Sequence, residues 1–185
     1  MIVSMPVDIR LTYEDFCRLP DDGKRYEIID GELFVTPSPR SLHQIVISNL
    51  HLELGQFVKD RRLGRVLVAP LDVVLSRFDV VEPDLLFISK SRASTVTETN
   101  IQGAPDLVVE VLSETTAQID CTTKLKLYAR YGVKEYWIID PDGPSATIYR
   151  REAKGFKPVV TLGASDSLTS PLFPGFSLTL SKLVE

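Results

Sequence analysis

Residues 80–89 read VVEPDLLFIS and residues 105–113 read PDLVVEVLS, and the acids inside these two apolar runs decide how the chain is read. In the second run Leu107, Val109 and Val111 alternate onto one face of a strand. Asp106, Val108, Glu110 and Leu112 take the other. Glu110 therefore sits mid-strand among residues apolar enough to be buried on both faces. An ionised carboxylate there is costly unless it is paired or holds a cation. In the first run Asp84 shares a face with Leu86 and Ile88, while Leu85 and Phe87 point the other way. Pro83 cannot donate to a ladder, so it predicts a bulge or an edge that re-aims the next side chain. Carboxylates from two adjacent strands can meet on a hard divalent cation such as Mg²⁺.

The next stretch, 120–134, predicts a helix. Cys121, Lys124, Leu125 and Tyr128 follow i, i+3, i+4, i+7 spacing, and Leu125 and Tyr128 mark their face as the inward one. Lys126, Arg130 and Lys134 follow a second, solvated face. Lys124 is thus aimed toward the strand ends, where an ammonium beside a phosphate can orient a water and offset developing charge. Plainer readings stand beside this one. Asp120 lies four residues before Lys124, a helical ion pair worth ~0.3–0.5 kcal/mol. Glu-Pro-Asp can simply mark a bend. Asp106 follows Pro105 and suits a strand boundary, and its four-residue separation from Glu110 spans ~13 Å, long for two ligands of one ion.

In this order Pro83-Asp84, Glu110-Val111-Leu112 and Lys124 resemble the PD-(D/E)XK nuclease pattern. Longer runs resemble the Uma2-type family of putative restriction endonucleases within it: YEIIDGEL at 26–33, His43 opening a helix, VEPDLLFIS, PDLVVEVLSETT, and DCTTKLKLYARYGVKEYWIIDP at 120–141. The resemblance spans nearly all of the chain. It implies a restriction-endonuclease-like α/β fold, an αβββαβ core with a mixed central sheet flanked by helices, with β-hairpins at both ends. It further implies Mg²⁺ or Mn²⁺ held by Asp84 and Glu110, catalytic help from Lys124, and DNA as partner and substrate. His43 matches the family's early histidine, and His43 or Glu27 would complete the site. A homodimer follows by analogy with enzymes that cut both strands. Two departures stand out. Leu112 occupies the position where the wider superfamily keeps its lysine, which points to Lys124 as the displaced one. Glu114 replaces a proline common after Ser113.

The 185 residues suit one domain, 1–185, with a sizeable core. No apolar run approaches the ~18 residues of a membrane span. MIVSMPVDIR lacks the basic and apolar regions of a secretory signal. Cys17 and Cys121 are isolated thiols read as small hydrophobes, which suits a reducing cytoplasm. The net charge of −4 counts modestly against nucleic-acid binding, although its distribution matters more than its total. Arg61, Arg62 and Arg65 cluster, as do Arg150, Arg151, Lys154 and Lys157; both clusters read first as solvated loops.

Along the chain, Thr12 caps a helix over Tyr13 to Leu19. Asp30-Gly31 is a two-residue hairpin turn, which makes Glu27 and Glu32 ordinary hairpin charges unless one belongs to a site. A helix over Ser41 to Asp60 buries Leu42, Ile45, Val46, Leu50, Leu54 and Phe57. RVLVAPLDVVLS reads as one strand, broken at most at Pro70. Residues 89–104 read as a surface loop, EYWIIDP as a strand, and Thr147–Arg150 with Phe156–Thr161 as a hairpin. Periodicity alone gives a mixed α/β domain with one central sheet. There is no phosphate-binding glycine loop, no nucleophile elbow and no Cys/His metal cluster. The leading hypothesis is a Mg²⁺-dependent enzyme hydrolysing DNA phosphodiester bonds. The alternatives are a non-catalytic nucleic-acid or protein binding module on the same scaffold, and a metal hydrolase of another phosphorylated substrate.

Overall fold

The computed structural model describes residues 10–185; the reading of the first nine residues of MIVSMPVDIR lies outside them. Thr12 caps α1 (Tyr13–Phe16) through a capping box with Asp15. The helix stops short of the expected Leu19, because the residue before Pro20 is disfavoured in helical conformation. β1 (Arg25–Ile29) and β2 (Glu32–Thr36) form the expected hairpin. Asp30 and Gly31 both take positive φ, 53° and 82°, as a type I′ turn demands. A Cβ on Gly31 would lie 2.6 Å from that of Arg10.

α2 (Ser41–Asp60) follows, and then β3 (Gly64–Val68), β4 (Val73–Ser76), β5 (Asp79–Val81), β6 (Leu85–Ser89), β7 (Ile101–Gln102) and β8 (Leu107–Val111). A helical segment has three parts: α3 (Ala117–Ile119), a π turn over Asp120–Lys124, and α4 (Leu125–Tyr131). β9 (Glu135–Asp140), β10 (Ser145–Glu152), β11 (Gly155–Leu162), β12 (Ser167–Leu168) and β13 (Leu178–Thr179) complete the chain.

Two large sheets replace the single central sheet expected from periodicity. One has the order β2-β1-β5-β4-β7, the other β11-β10-β9-β8-β6-β3, and β12 pairs with β13 separately. The six-stranded sheet is mixed, with β8 and β9 parallel and its other pairs antiparallel. The two apolar runs read as single strands are each divided between sheets. RVLVAPLDVVLS becomes β3 and β4, parted at the cis Ala69–Pro70 bond, and VVEPDLLFIS becomes β5 and β6, parted at Glu82-Pro83-Asp84. Neither proline can donate a ladder hydrogen bond, so the ladder ends there and the chain changes sheet. Asp84 thereby stands at the crossing, one residue ahead of β6.

The six-stranded sheet is covered on both faces. Val46, Leu50 and Leu54 of α2 pack with Leu85, Phe87, Leu107, Val109 and Trp137, closed off by Phe173 and Phe176 of the C-terminal segment. Val108, Ile88, Tyr128 and Tyr136 form the opposite layer. The buried face of α2 is His43, Val46, Ile47, Leu50, Leu54 and Val58, rotated from the expected stripe; Ile45 is 41 % exposed. Both stripes satisfy helical spacing, and docking on the sheet selects the one carrying His43. Cys17 and Cys121 are exposed rather than core residues. No helix among the described residues is long and apolar enough to cross a membrane.

Candidate active site

β8 carries Glu110 into the interior at 2 % exposure. Its Oε1 accepts from Lys124 Nζ at 3.0 Å and from the Tyr128 hydroxyl at 2.9 Å, and its Oε2 accepts from the Asp84 backbone N–H at 3.3 Å. Asp84 reaches back across the same strand pair. Its Oδ2 accepts from the Val111 N–H at 2.9 Å and meets His43 Nε2 at 3.1 Å, while Oδ1 lies 3.4 Å from Arg25 Nη1. Glu110 is thus fixed by the Asp84 N–H and Asp84 by the N–H of Val111, the residue after Glu110, a crossed link available only because β6 and β8 are neighbours.

Lys124, 4 % exposed, comes from the π turn. Its ammonium lies 3.0 Å from Glu27, 3.0 Å from Glu110 and 3.4 Å from Asp120. An α-helix would have put Cys121 beside it. The wider turn keeps the i, i+4 neighbour Asp120 at the ammonium and leaves the i, i+3 neighbour Cys121 in solvent, a use of π geometry common at functional sites. Glu27 projects from β1 of the other sheet and accepts from the Glu82 N–H at 2.8 Å. The structure therefore brings Asp84, Glu110, Lys124, His43 and Glu27 into one cluster.

Sequence reasoning did not place Arg25, Glu82 and Asp120 in the site, and it read Tyr128 only as a filler of the inward face. Arg25 Nε is 3.0 Å from Glu82 and Arg25 also donates to the Glu82 carbonyl. A period of two held the signal: Arg25 shares a strand face with Glu27, and Glu82 precedes Asp84 by two. Asp106, set aside as a boundary residue, is fully buried but bonded to the Ser89 N–H and Lys134, away from the cluster. The Arg150 cluster is partly consumed by ion pairs, Arg150 with Glu135 and Lys157 with Glu152.

The electrostatics are one-sided. Glu27, Glu82, Asp84, Glu110 and Asp120 are all buried, against the fixed cations Arg25 and Lys124. Five carboxylates less two cations leave three negative charges in excess when all are ionised. Burial pushes the Glu110 carboxyl well above the usual range; Lys124 opposes this, and Asp84, Asp120 and Glu27 add to it. Asp120 and Glu82 are raised by the same desolvation. Burial would raise Asp84 too, but its bonds to His43 and the Val111 N–H, with Arg25 nearby, hold it below the ordinary value. Burial alone would lower Lys124, yet Glu110, Glu27 and Asp120 hold it charged, well above the ordinary lysine value.

A cavity of about 180 Å³ opens on this cluster. Arg25, His43, Asp84, Glu110, Asp120 and Lys124 line its floor, and the loops 36–40 and 113–116 its rim. Among the described residues no three His, Cys, Asp or Glu side chains are arranged as a metal cage. The donor set nevertheless fits Mg²⁺, which takes hard oxygen ligands, keeps several waters, and needs only one or two carboxylates from the protein. The excess charge and the unpartnered Nδ1 of His43, a residue lining the cavity, agree with a cation or ordered solvent there.

Residues 13–181 match the family Uma2, described as putative restriction endonuclease. The chain belongs to that family. No curated protein matches it. Among solved structures, a putative nuclease of the DUF820 family from Anabaena variabilis superposes with a TM-score of 0.80. That likeness covers 94 % of this chain and 97 % of the other at 22 % identity, and it shows that the two share a fold. The Uma2 chain described here thus has a nuclease-like fold of mixed α/β class.

Proposed function

We propose that this Uma2 protein is a Mg²⁺-dependent endodeoxyribonuclease, with its site at Asp84, Glu110, Lys124, His43 and Glu27. The reading rests on one observation: two carboxylates, one on β8 and one just ahead of β6, cross-linked through the Asp84 and Val111 N–H groups, meet an inward lysine at a cavity with excess negative charge. Asp84 and Glu110 would hold the cation, which supplies charge neutralisation for the phosphate and makes a nearby water more acidic.

The chain's own groups do the rest. Lys124 carries a fixed positive charge beside Glu110, placed to offset the charge that develops on a phosphodiester as water attacks phosphorus and the ester oxygen leaves. Tyr128 and Lys124 together hold Glu110 Oε1, so its other oxygen faces Asp84. With Asp84 ionised, His43 Nε2 donates to it, which orients the ring at the cavity wall. Glu27 fixes the ammonium from the opposite side, a positioning role. Cutting both strands of a duplex calls for two such sites, so the reading carries a homodimer with it.

One observation favours a non-catalytic module instead: the Lys124 ammonium is already committed to three carboxylates. Calorimetry with Mn²⁺, paired with nicking of supercoiled plasmid in Mg²⁺, tests the two. The nuclease reading expects Mn²⁺ binding that Glu110→Gln weakens and nicking that it abolishes. Unchanged Mn²⁺ affinity in Glu110→Gln would exclude Glu110 as a ligand.

A further inference from the structure

Two further cavities follow the active-site cavity along α2, each sharing wall residues with the one before. The second, about 210 Å³, shares Arg25 and Asp84 with the first. The third, about 870 Å³, shares Ser48 and His51 with the second. Gln44, Ser48, His51, Gly55 and Lys59 recur at helical spacing along its floor, so a single face of α2 lines the whole path. Its far end carries four exposed cations, Lys59, Arg62, Arg65 and Lys90, brought together from the end of α2, the turn after it, β3 and the residue after β6. Among the described residues no acidic side chain lines that end, in a chain whose net charge is −4.

We infer that this groove is the path of the DNA backbone, with Lys59, Arg62, Arg65 and Lys90 as a phosphate anchor remote from the scissile bond. The inference rests on the nuclease reading for its ligand. The charge selects a polyanion, and the length selects an extended one. From His43 to Lys59 the helix rises about 24 Å at 1.5 Å per residue. That distance matches about seven nucleotides of B-form strand at 3.4 Å each. A small phosphodiester at the Asp84–Glu110 cavity cannot touch the anchor, whereas a continuous strand touches both. Ser48 and Gly55 are small, and the His51 ring between them lies against Gly55. Arg61, adjacent in sequence, is excluded from the anchor because its guanidinium lies 3.7 Å over the Phe57 ring.

The test uses the full chain in EDTA, so that binding is read without cleavage. Fluorescence anisotropy gives the slope of log affinity against log salt for a duplex of about 20 base pairs, roughly 70 Å long. The triple variant K59Q/R65Q/K90Q leaves Arg62 and its positive φ untouched, and circular dichroism checks its fold. The slope should be shallower than wild type by about 2.7, about 0.9 for each phosphate contact removed. If the triple variant does not fold, R65Q and K90Q singly should each flatten the slope by about 0.9. An unchanged slope, or a change in sedimentation without a change in slope, overturns the groove, the latter making it an interface between copies. A shallower slope in a protein that nicks no DNA in Mg²⁺ would instead overturn the nuclease reading and leave the groove standing.

Discussion

Replacing Lys124 by methionine removes one charge at nearly constant volume and asks what that charge holds together. Its ammonium contacts Glu27 and Glu110 at 3.0 Å and Asp120 at 3.4 Å. Each 3.0 Å contact carries roughly 5 kcal/mol of gross attraction at an effective dielectric of about 20. Most of that offsets the desolvation of the groups, and breaking a buried pair from one side costs a net ~3–5 kcal/mol. Had Lys124 merely paired with Asp120 along an exposed helix face, the loss would be ~0.3–0.5 kcal/mol. At pH 7 Lys124→Met should therefore lose ~3–5 kcal/mol, and Tm should fall by about 6–20 °C for a chain of this size. The cost should shrink as pH falls. Glu110 and Asp120 have raised values in the fold, so the folded protein binds protons that the unfolded chain does not, and stability falls as pH rises above the ordinary carboxylate range. Without Lys124 that fall should steepen. Lys124's own contribution, with its value raised, is complete at pH 7 and is lost only above the ordinary lysine value. Urea unfolding at pH 5 and 7, with plasmid nicking on the same preparation, measures both effects. A loss below ~1 kcal/mol at pH 7, or a loss that does not change with pH, would refute the central-cation argument.

Glu110→Gln should unfold at lower urea than wild type at pH 7, because its NH₂ must face either Lys124 and Tyr128 or the Asp84 N–H, all donors, while its Mn²⁺ binding weakens; calorimetry and urea titration report the two separately. His43→Ala should raise the Asp84 value toward that of an ordinary carboxylate or above, since the hydrogen bond opposing burial is gone; NMR titration of the Asp84 carboxyl carbon reads it. Arg25→Gln should cost ~2–3 kcal/mol by leaving Glu82 and Asp84 short of their charged partner, measured by urea unfolding. Gly31→Ala should destabilise by more than ~1 kcal/mol, since an L side chain at φ 82° is strained and its Cβ would strike Arg10; thermal unfolding shows it.

What the sequence by itself determined is local. The type I′ turn at Asp30-Gly31, the span of α2 and the alternation of β8 follow from turn chemistry, helical periodicity and a period of two, each settled within a few residues. The oddity of Glu110 was also legible, because a charge inside an apolar strand contradicts its neighbours wherever the strand is placed. What only the tertiary structure decided is which local solution is used and what meets what. Pro70 and Pro83 announced broken ladders, but not that each break sends the chain into a different sheet. Two apolar stripes on α2 satisfied the same spacing, and only docking on the sheet turned His43 inward and Ile45 outward. Lys124 was aimed inward by an α-helical argument, but a π turn delivers it, exposing Cys121 and burying Asp120. The partners Arg25, Glu27 and Glu82 stand 85, 83 and 28 residues from Glu110 in sequence and reach the cluster only because β1 and the β5–β6 crossing converge there. Periodicity reports which face of an element is apolar; the meeting of distant charges depends on how whole sheets pack, and that energy is not written in any single segment.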